Sequence, residues 1–259
     1  MSTSHMMIYC NGDSYSNPKY RPTMKDKTYD YVVNEHLPGY VMNRAISGSC
    51  NRRIIRTTVH DMIQQRQLNP QQKTIALIGL TFEIRSELWI DNSQPLRSEE
   101  SNFGSHMFSN QLNWRETLLQ GFFQDAKNPH LLEEKFYKKY TEGRAYFYSP
   151  YAERINLFCD LIMLKSLLDR LDINFLVFNC VIPEKLDSDY LLDFFRNEIV
   201  NDPRFIDLDN FGFCSWSNQQ GFVPFDFIDR PGIGHYQADA HRSFAEKILL
   251  PTIKKLNLI

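Results

Sequence analysis

Two side chains near opposite ends of the chain could share chemistry: Ser14, in Ile8-Tyr9-Cys10-Asn11-Gly12-Asp13-Ser14-Tyr15-Ser16, and His235, in a loop with glycines ahead of a helix. A short apolar run that stops at Gly-Asp-Ser is the pattern of a buried strand ending in a turn, which hands a hydroxyl to the carboxyl edge of a sheet. Open α/β sheets bind ligands at that edge. A serine there becomes a nucleophile when a base takes its proton, and the N–H groups opening the next helix face any oxyanion that develops. Serine, base and backbone donors are the minimum parts for acyl transfer. A plainer role also fits, with Asp13 or Ser14 merely capping the next helix. His235 tips the balance toward chemistry.

The elements that must position these groups follow from the hydrophobic pattern. After a polar, proline-bearing stretch, Thr28 to Leu37 has helical spacing and stops at Pro38-Gly39. Tyr40 to Ile46 predicts a second strand, running into Ser47-Gly48-Ser49-Cys50-Asn51 and a helix from Arg52 to about Gln67. Gly48 would let its N–H approach a ligand with no Cβ in the way, or would simply turn the chain. Lys73 to Leu80 is the clearest strand, with Thr74-Ile75-Ala76-Leu77-Ile78 continuously apolar as a central parallel strand should be, and it ends at Gly79-Leu80-Thr81. Beyond it Thr81, Glu83, Arg85 and Glu87 alternate where a site would sit; Arg85 either meets substrate there, with Asp13, or pairs with Glu87.

Asp91 to Tyr148 breaks the pattern and reads as an insertion, with a loop from Asn102 to Gln111 and helices at Trp114 to Gln124 and Leu131 to Tyr140. Its aromatics, Phe103, Phe108 and Trp114 among them, suit a lid or a wall of a substrate pocket, a private core, or an oligomer contact. Regular order then resumes: a long amphipathic helix over Ala152 to Leu171, a buried strand over Asn174 to Val181, and a helix within Pro183 to Asn201. A loop-rich stretch with exposed aromatics, Pro203 to Asp229, leads to a closing helix, His241 to Leu256. This order predicts one domain over residues 1–259, an α/β protein built as a three-layer α/β/α sandwich around a mainly parallel sheet, with a helical insertion at about 91–148.

Read together, these segments resemble the SGNH (GDSL-type) hydrolase superfamily. Gly12 to Ser16 looks like its first block, with Ser14 in the nucleophile position. Gly48 in Ile46-Ser47-Gly48-Ser49-Cys50-Asn51 resembles the second-block glycine, and Gly79-Leu80-Thr81 falls where the third block has Gly-x-Asn, with threonine replacing asparagine. The last block is similar to Gly234 to His241, where His235 and a helix-entry histidine, His241, keep the interval of six. The resemblance implies a flavodoxin-like fold and hydrolysis of an ester or acetyl group, with no cofactor. It also implies an oxyanion held by the N–H groups of Ser14 and Gly48, with Thr81 Oγ1 or Asn51 as the side-chain donor. The family's acid should stand three before the histidine, where this chain has Gly232; Asp229 is the nearest upstream carboxylate, and a Ser-His dyad is the alternative. The stretches around Ile46 and Ile78 further look like a subgroup of SGNH-like proteins, many from bacteriophages, so that a binding or phage–host interaction protein on the same fold is the rival reading.

Composition narrows the setting. The 259 residues carry a net charge of −2 and 42% hydrophobic content, enough for one large core and no global case for nucleic acid or an anionic membrane. Arg44, Arg52, Arg53 and Arg56 could still hold a phosphate or carboxylate, or lie on a solvated helix face. No apolar run approaches the ~20 residues that span a bilayer, and the start lacks a signal-peptide pattern. Five scattered cysteines and seven histidines without a ligand cluster argue for free thiols in a cytoplasmic protein and against a metal. For a phage-encoded chain that cytoplasm would be the bacterial host's. The expected partner is a small-molecule or glycan ester, with a homo-oligomer left open.

Overall fold

A computed structural model describes residues 6–18, 27–37, 39–47, 49–83, 86–91, 114–119, 149–226 and 234–259. Five parallel strands make the main sheet: β1 (Met6–Asn11), β2 (Gly39–Asn43), β3 (Thr74–Leu80), β6 (Asn174–Asn179) and the short β7 (Phe205–Ile206). Their order is β2-β1-β3-β6-β7, the doubly wound arrangement in which successive connections leave β1 in one direction and β3 in the other. Registers such as Ile8↔Ile75 and Ile78↔Val177 bring the carboxyl ends of β1, β3 and β6 to one edge.

Period-two alternation divides the core into two layers. Ile8, Cys10, Ile75, Leu77, Leu176 and Phe178 face α1 (Tyr29–His36) and the C-terminal helices. Met7, Tyr9, Ala76, Ile78, Phe175 and Val177 face α2 (Asn51–Leu68) and α3 (Pro150–Arg170). With both faces covered, all seven residues of β3 are buried, which is why Ile75 to Leu80 is an unbroken apolar run. Helix starts are set by side chains: Cys50 Sγ accepts from Arg53 N–H, Ser149 Oγ from Ala152 N–H ahead of Pro150, and Asp189 Oδ1 from Leu191 and Leu192 N–H at α4 (Tyr190–Val200).

The expected α/β sandwich is therefore present, with corrections at particular elements. Trp114–Leu119, read as the start of a helix, is a strand, β5, paired antiparallel with β4 (Ser86–Asp91) in the register Trp89↔Glu116. A short run rich in apolar residues fits either period, and the partner that decides lies far away in sequence. The second insertion helix, Leu131 to Tyr140, and the lid lie outside the described residues. The stretch after Pro203 is less loose than expected: Phe205 and Phe213 are buried, the second in α5 (Phe213–Gln219). The closing helix starts earlier, as α6 (Ala238–Phe244), and passes through a π-turn at Ala245–Leu249 into α7 (Leu250–Lys255). Pro251, which has no N–H to give the preceding turn, stands at the start of α7.

Candidate active site

Asn11, the last residue of β1, ties the strand end to α2: its Nδ2 donates to Thr57 Oγ1 at 2.7 Å and to Ile54 O at 3.0 Å, and its Oδ1 accepts from Gly12 N–H at 2.9 Å. The chain then turns tightly. A Cβ on Gly12 would land on the Ser16 side chain and 3.1 Å from Gly79 O, so only glycine lets the turn press against β3. Asp13 organises the turn: its backbone O accepts from Ser16 N–H, its Oδ1 from Tyr15 N–H at 3.1 Å, and its Oδ2 from Thr81 Oγ1 at 2.5 Å. Below it Tyr29 OH donates to Ser16 Oγ at 2.5 Å, and Asn43 Nδ2 donates to Ser16 O at 2.9 Å.

Ser14, at the crest, meets His235 across the fold, with Nε2 2.7 Å from Ser14 Oγ. The other ring nitrogen, Nδ1, lies 2.8 Å from Asp226 Oδ2, and Asp226 Oδ1 accepts from His235 N–H at 2.7 Å. Phe225 N–H donates to His235 O at 2.9 Å, so residues 225–226 and 235 are laced side by side. Gly234 makes the approach possible, because a Cβ there would run into Pro224 and Asp226 O. A carboxylate against Nδ1 fixes the proton on that nitrogen and leaves Nε2 as acceptor for the serine hydroxyl.

The imidazole is also held on its faces, by Tyr15 at 4.5 Å between centroids and 21° between planes, and by Phe225 at 5.8 Å and 14°. His241 is buried in α6, stacked on Tyr29; burial, and after it His235, push its pKa down to about 3, so it stays neutral. Ser14, Asn17, Thr28, His235 and His241 help line a cavity of about 10 Å³, roughly the room of one water. A larger cavity of about 480 Å³, by Lys165, Asp202 and Arg204, lies at the opposite end of the sheet, and its charges neutralise one another.

Several expected roles change. Thr81 Oγ1 is committed to Asp13, and Asn51 to the Thr81 backbone, with Thr81 N–H donating to Asn51 Oδ1 at 2.8 Å and Asn51 Nδ2 to Thr81 O at 3.1 Å. Both anchor the Ser14 turn to β3, where an oxyanion role was expected of them. Asp13, expected to meet substrate, is fully buried inside that turn. Asp229, Gly48, Arg85, Phe103 and Phe108 lie outside the described residues, as does the side chain of Trp114. Arg44 chelates Asp61, with Nε at 2.9 Å and Nη2 at 3.1 Å, and Arg53 is buried with Nη1 on Ser49 Oγ, so these two serve the α2 packing instead of an anion. Glu83 turns to the Arg154 guanidinium as a buried pair, and Arg154 also reaches Glu184 O at 2.8 Å. Burial raises the Glu83 pKa and Arg154 opposes the rise.

Sequence reasoning missed Asp226 and the ring of Tyr15. The one available signal was an aspartate beside an aromatic in Phe225-Asp226, upstream of Gly234-His235.

No family model matches the sequence, and no curated protein does. Among solved structures, the chain is similar to the psychrotrophic esterase EstA from Pseudoalteromonas sp. at 8% identity, over 96% of this chain and 97% of that one, with a TM-score of 0.45. It is also similar to TesA at 12% identity, over 97% of this chain and 99% of that one, with a TM-score of 0.44. Both are likenesses in the course of the backbone. Among the described residues no helix is long and apolar enough to cross a membrane.

Proposed function

We propose that this chain is a serine hydrolase of the SGNH type, an esterase or deacetylase that cleaves an ester or acetyl group on a small molecule or glycan. The observation that carries the reading is His235, bridging Ser14 Oγ at 2.7 Å and Asp226 Oδ2 at 2.8 Å at the carboxyl edge of the sheet. In this reading Nε2 takes the Ser14 proton as Oγ attacks the carbonyl carbon. The tetrahedral oxyanion rests on the backbone N–H groups of Ser14 and Gly48. His235 then passes the proton to the leaving oxygen, the carbon–oxygen bond breaks, and Ser14 is left acylated. A water attacks the acyl carbon, gives its proton to Nε2, and the return of that proton to Oγ releases the acid. Asp226 keeps Nδ1 protonated and the ring oriented throughout. The five free cysteines support a reducing, cytoplasmic setting for the protein.

The test is a fluorophosphonate probe with peptide mapping, alongside hydrolysis of p-nitrophenyl acetate. Labelling of Ser14, lost in Ser14→Ala together with turnover, is expected. A second reading, a binding protein on the same fold, is favoured by the commitment of Thr81 Oγ1 and the Asn51 amide, which leaves neither as a dedicated oxyanion donor. A folded protein that neither labels nor turns over ester would decide for it.

A further inference from the structure

Two in-plane hydrogen bonds hold His235, but one of them is temporary. When Ser14 carries an acyl group, Oγ has no proton to share, and Nε2 must engage water instead. The bond from Nδ1 to Asp226 then carries the in-plane hold that Nε2 shared with it. The Tyr15 and Phe225 rings remain stacked near the imidazole, at 4.5 and 5.8 Å between centroids.

Building on the hydrolase reading, we infer that Tyr15 is a positioning residue for His235, the ring that keeps the base aligned and favours its protonated form after Ser14 Oγ has been acylated. The juxtaposition follows from the turn. Ser14 and Tyr15 are consecutive, so the segment that presents the hydroxyl to Nε2 also lays a phenol ring on the imidazole face. That segment is fixed by Asp13, which accepts from Tyr15 N–H and is itself held by Thr81. Thr81 thus acts on the base through Asp13 and Tyr15, giving the threonine in the third block a use. An aromatic face stacks with a neutral imidazole and attracts an imidazolium more strongly. Tyr15 is buried, so water does little to weaken that attraction.

The other groups around the ring define the field in which the effect must be read. Asp226 lies at Nδ1 and stabilises the cation. His241 is neutral, and the Tyr236 phenol is pushed up to about 12 by burial, so neither changes charge while His235 titrates. The Cys214 thiol is pushed up, first by burial and then by the charges of Cys180, Asp13 and Asp226.

The experiment titrates His235 by imidazole NMR and follows the burst and steady phases of p-nitrophenyl acetate hydrolysis in the parent, Tyr15→Phe and Tyr15→Leu. In Tyr15→Phe, which keeps the ring face, the His235 titration should stay where it is in the parent. In Tyr15→Leu the titration should move down by about half a pH unit, with deacylation slowed about threefold and more than acylation. Should the leucine variant not fold, pentafluorophenylalanine at position 15 keeps the ring's bulk while reversing the charge of its face, and should lower the titration at least as far. His235 titrating as in the parent in the leucine or fluorinated protein overturns the inference. Because the NMR titration needs no turnover, absence of esterase activity with a shifted titration would remove the hydrolase reading and the deacylation role that rests on it, while the hold of the Tyr15 ring on His235 would stand. An unmoved titration with turnover intact would do the reverse.

Discussion

Replacing Asp226 by asparagine tests the site most directly, because this carboxylate answers two donors at once. Its Oδ1 accepts from the His235 backbone N–H at 2.7 Å and its Oδ2 faces Nδ1 at 2.8 Å. Asparagine has one acceptor oxygen. If that oxygen stays on the backbone N–H, the amide NH2 points at Nδ1 and makes it an acceptor, which moves the ring proton to Nε2. The base then cannot take the proton of Ser14. In a well-studied serine protease triad the corresponding change costs about 10,000-fold in kcat, or about 5.5 kcal/mol. If the amide flips instead, Nδ1–H keeps its acceptor, the backbone N–H loses one, and the loss should be nearer tenfold, the worth of one ordinary hydrogen bond of about 1 kcal/mol. The expected result is the larger loss, since the flipped amide would turn its NH2 on a backbone donor fixed by the Phe225–His235 pairing. The assay is kcat for p-nitrophenyl acetate at neutral pH, with thermal denaturation to verify the fold and Asp229→Asn measured beside it. A folded Asp226→Asn protein with kcat within a few-fold of the parent would refute the triad. A large loss in Asp229→Asn alone would return the acid to the position expected from sequence.

Thr81→Val keeps the shape and removes the hydroxyl that donates to the buried Asp13 Oδ2, so stability should fall by about 1 to 3 kcal/mol, read as a lower Tm. If Thr81 were instead an oxyanion donor, kcat would drop at least a hundredfold with Tm unchanged. His241 sets a pH dependence of stability: its folded pKa of about 3 lies below the ordinary 6.5, so the neutral state's contribution is complete above pH 6.5 and is lost as pH falls toward 3. Urea unfolding across that window should show up to about 1.4 kcal/mol of stability lost per pH unit from this group, and His241→Phe should flatten the slope. An unchanged slope would show that other groups govern it.

The sequence was most legible where local pattern and burial coincide. β3 is apolar from Ile75 to Leu80 because both of its faces are covered, and Gly12 marks the turn before Ser14 because no side chain fits against Ser16 and Gly79. What stayed hidden depends on pairing between distant segments. β4 and β5 find one another across the insertion, so a window over residues 114–119 alone cannot tell strand from helix. The alternating polar residues after β3 looked site-facing, yet Glu83 is claimed by Arg154 from the helix that resumes the fold on the far side of that insertion.

The missed acid has the same origin and says something about the site. Counting back from His235 along the chain gives Gly232 and then Asp229, whereas the carboxylate that reaches Nδ1 belongs to Asp226, brought alongside by the Phe225 N–H to His235 O bond. Spacing along a chain predicts a contact only when the segment between the partners has a fixed conformation, as one helical turn does. Here Asp226 is placed by two backbone stretches lying side by side, a pairing that counting along the chain does not reveal. The placement of Asp226 on Nδ1 is thus held by the pairing of 225–226 with 235 and by Gly234, which lets them touch. It follows that substitutions disturbing this pairing, Gly234→Ala foremost, should impair the base even though they alter none of the groups that handle the proton.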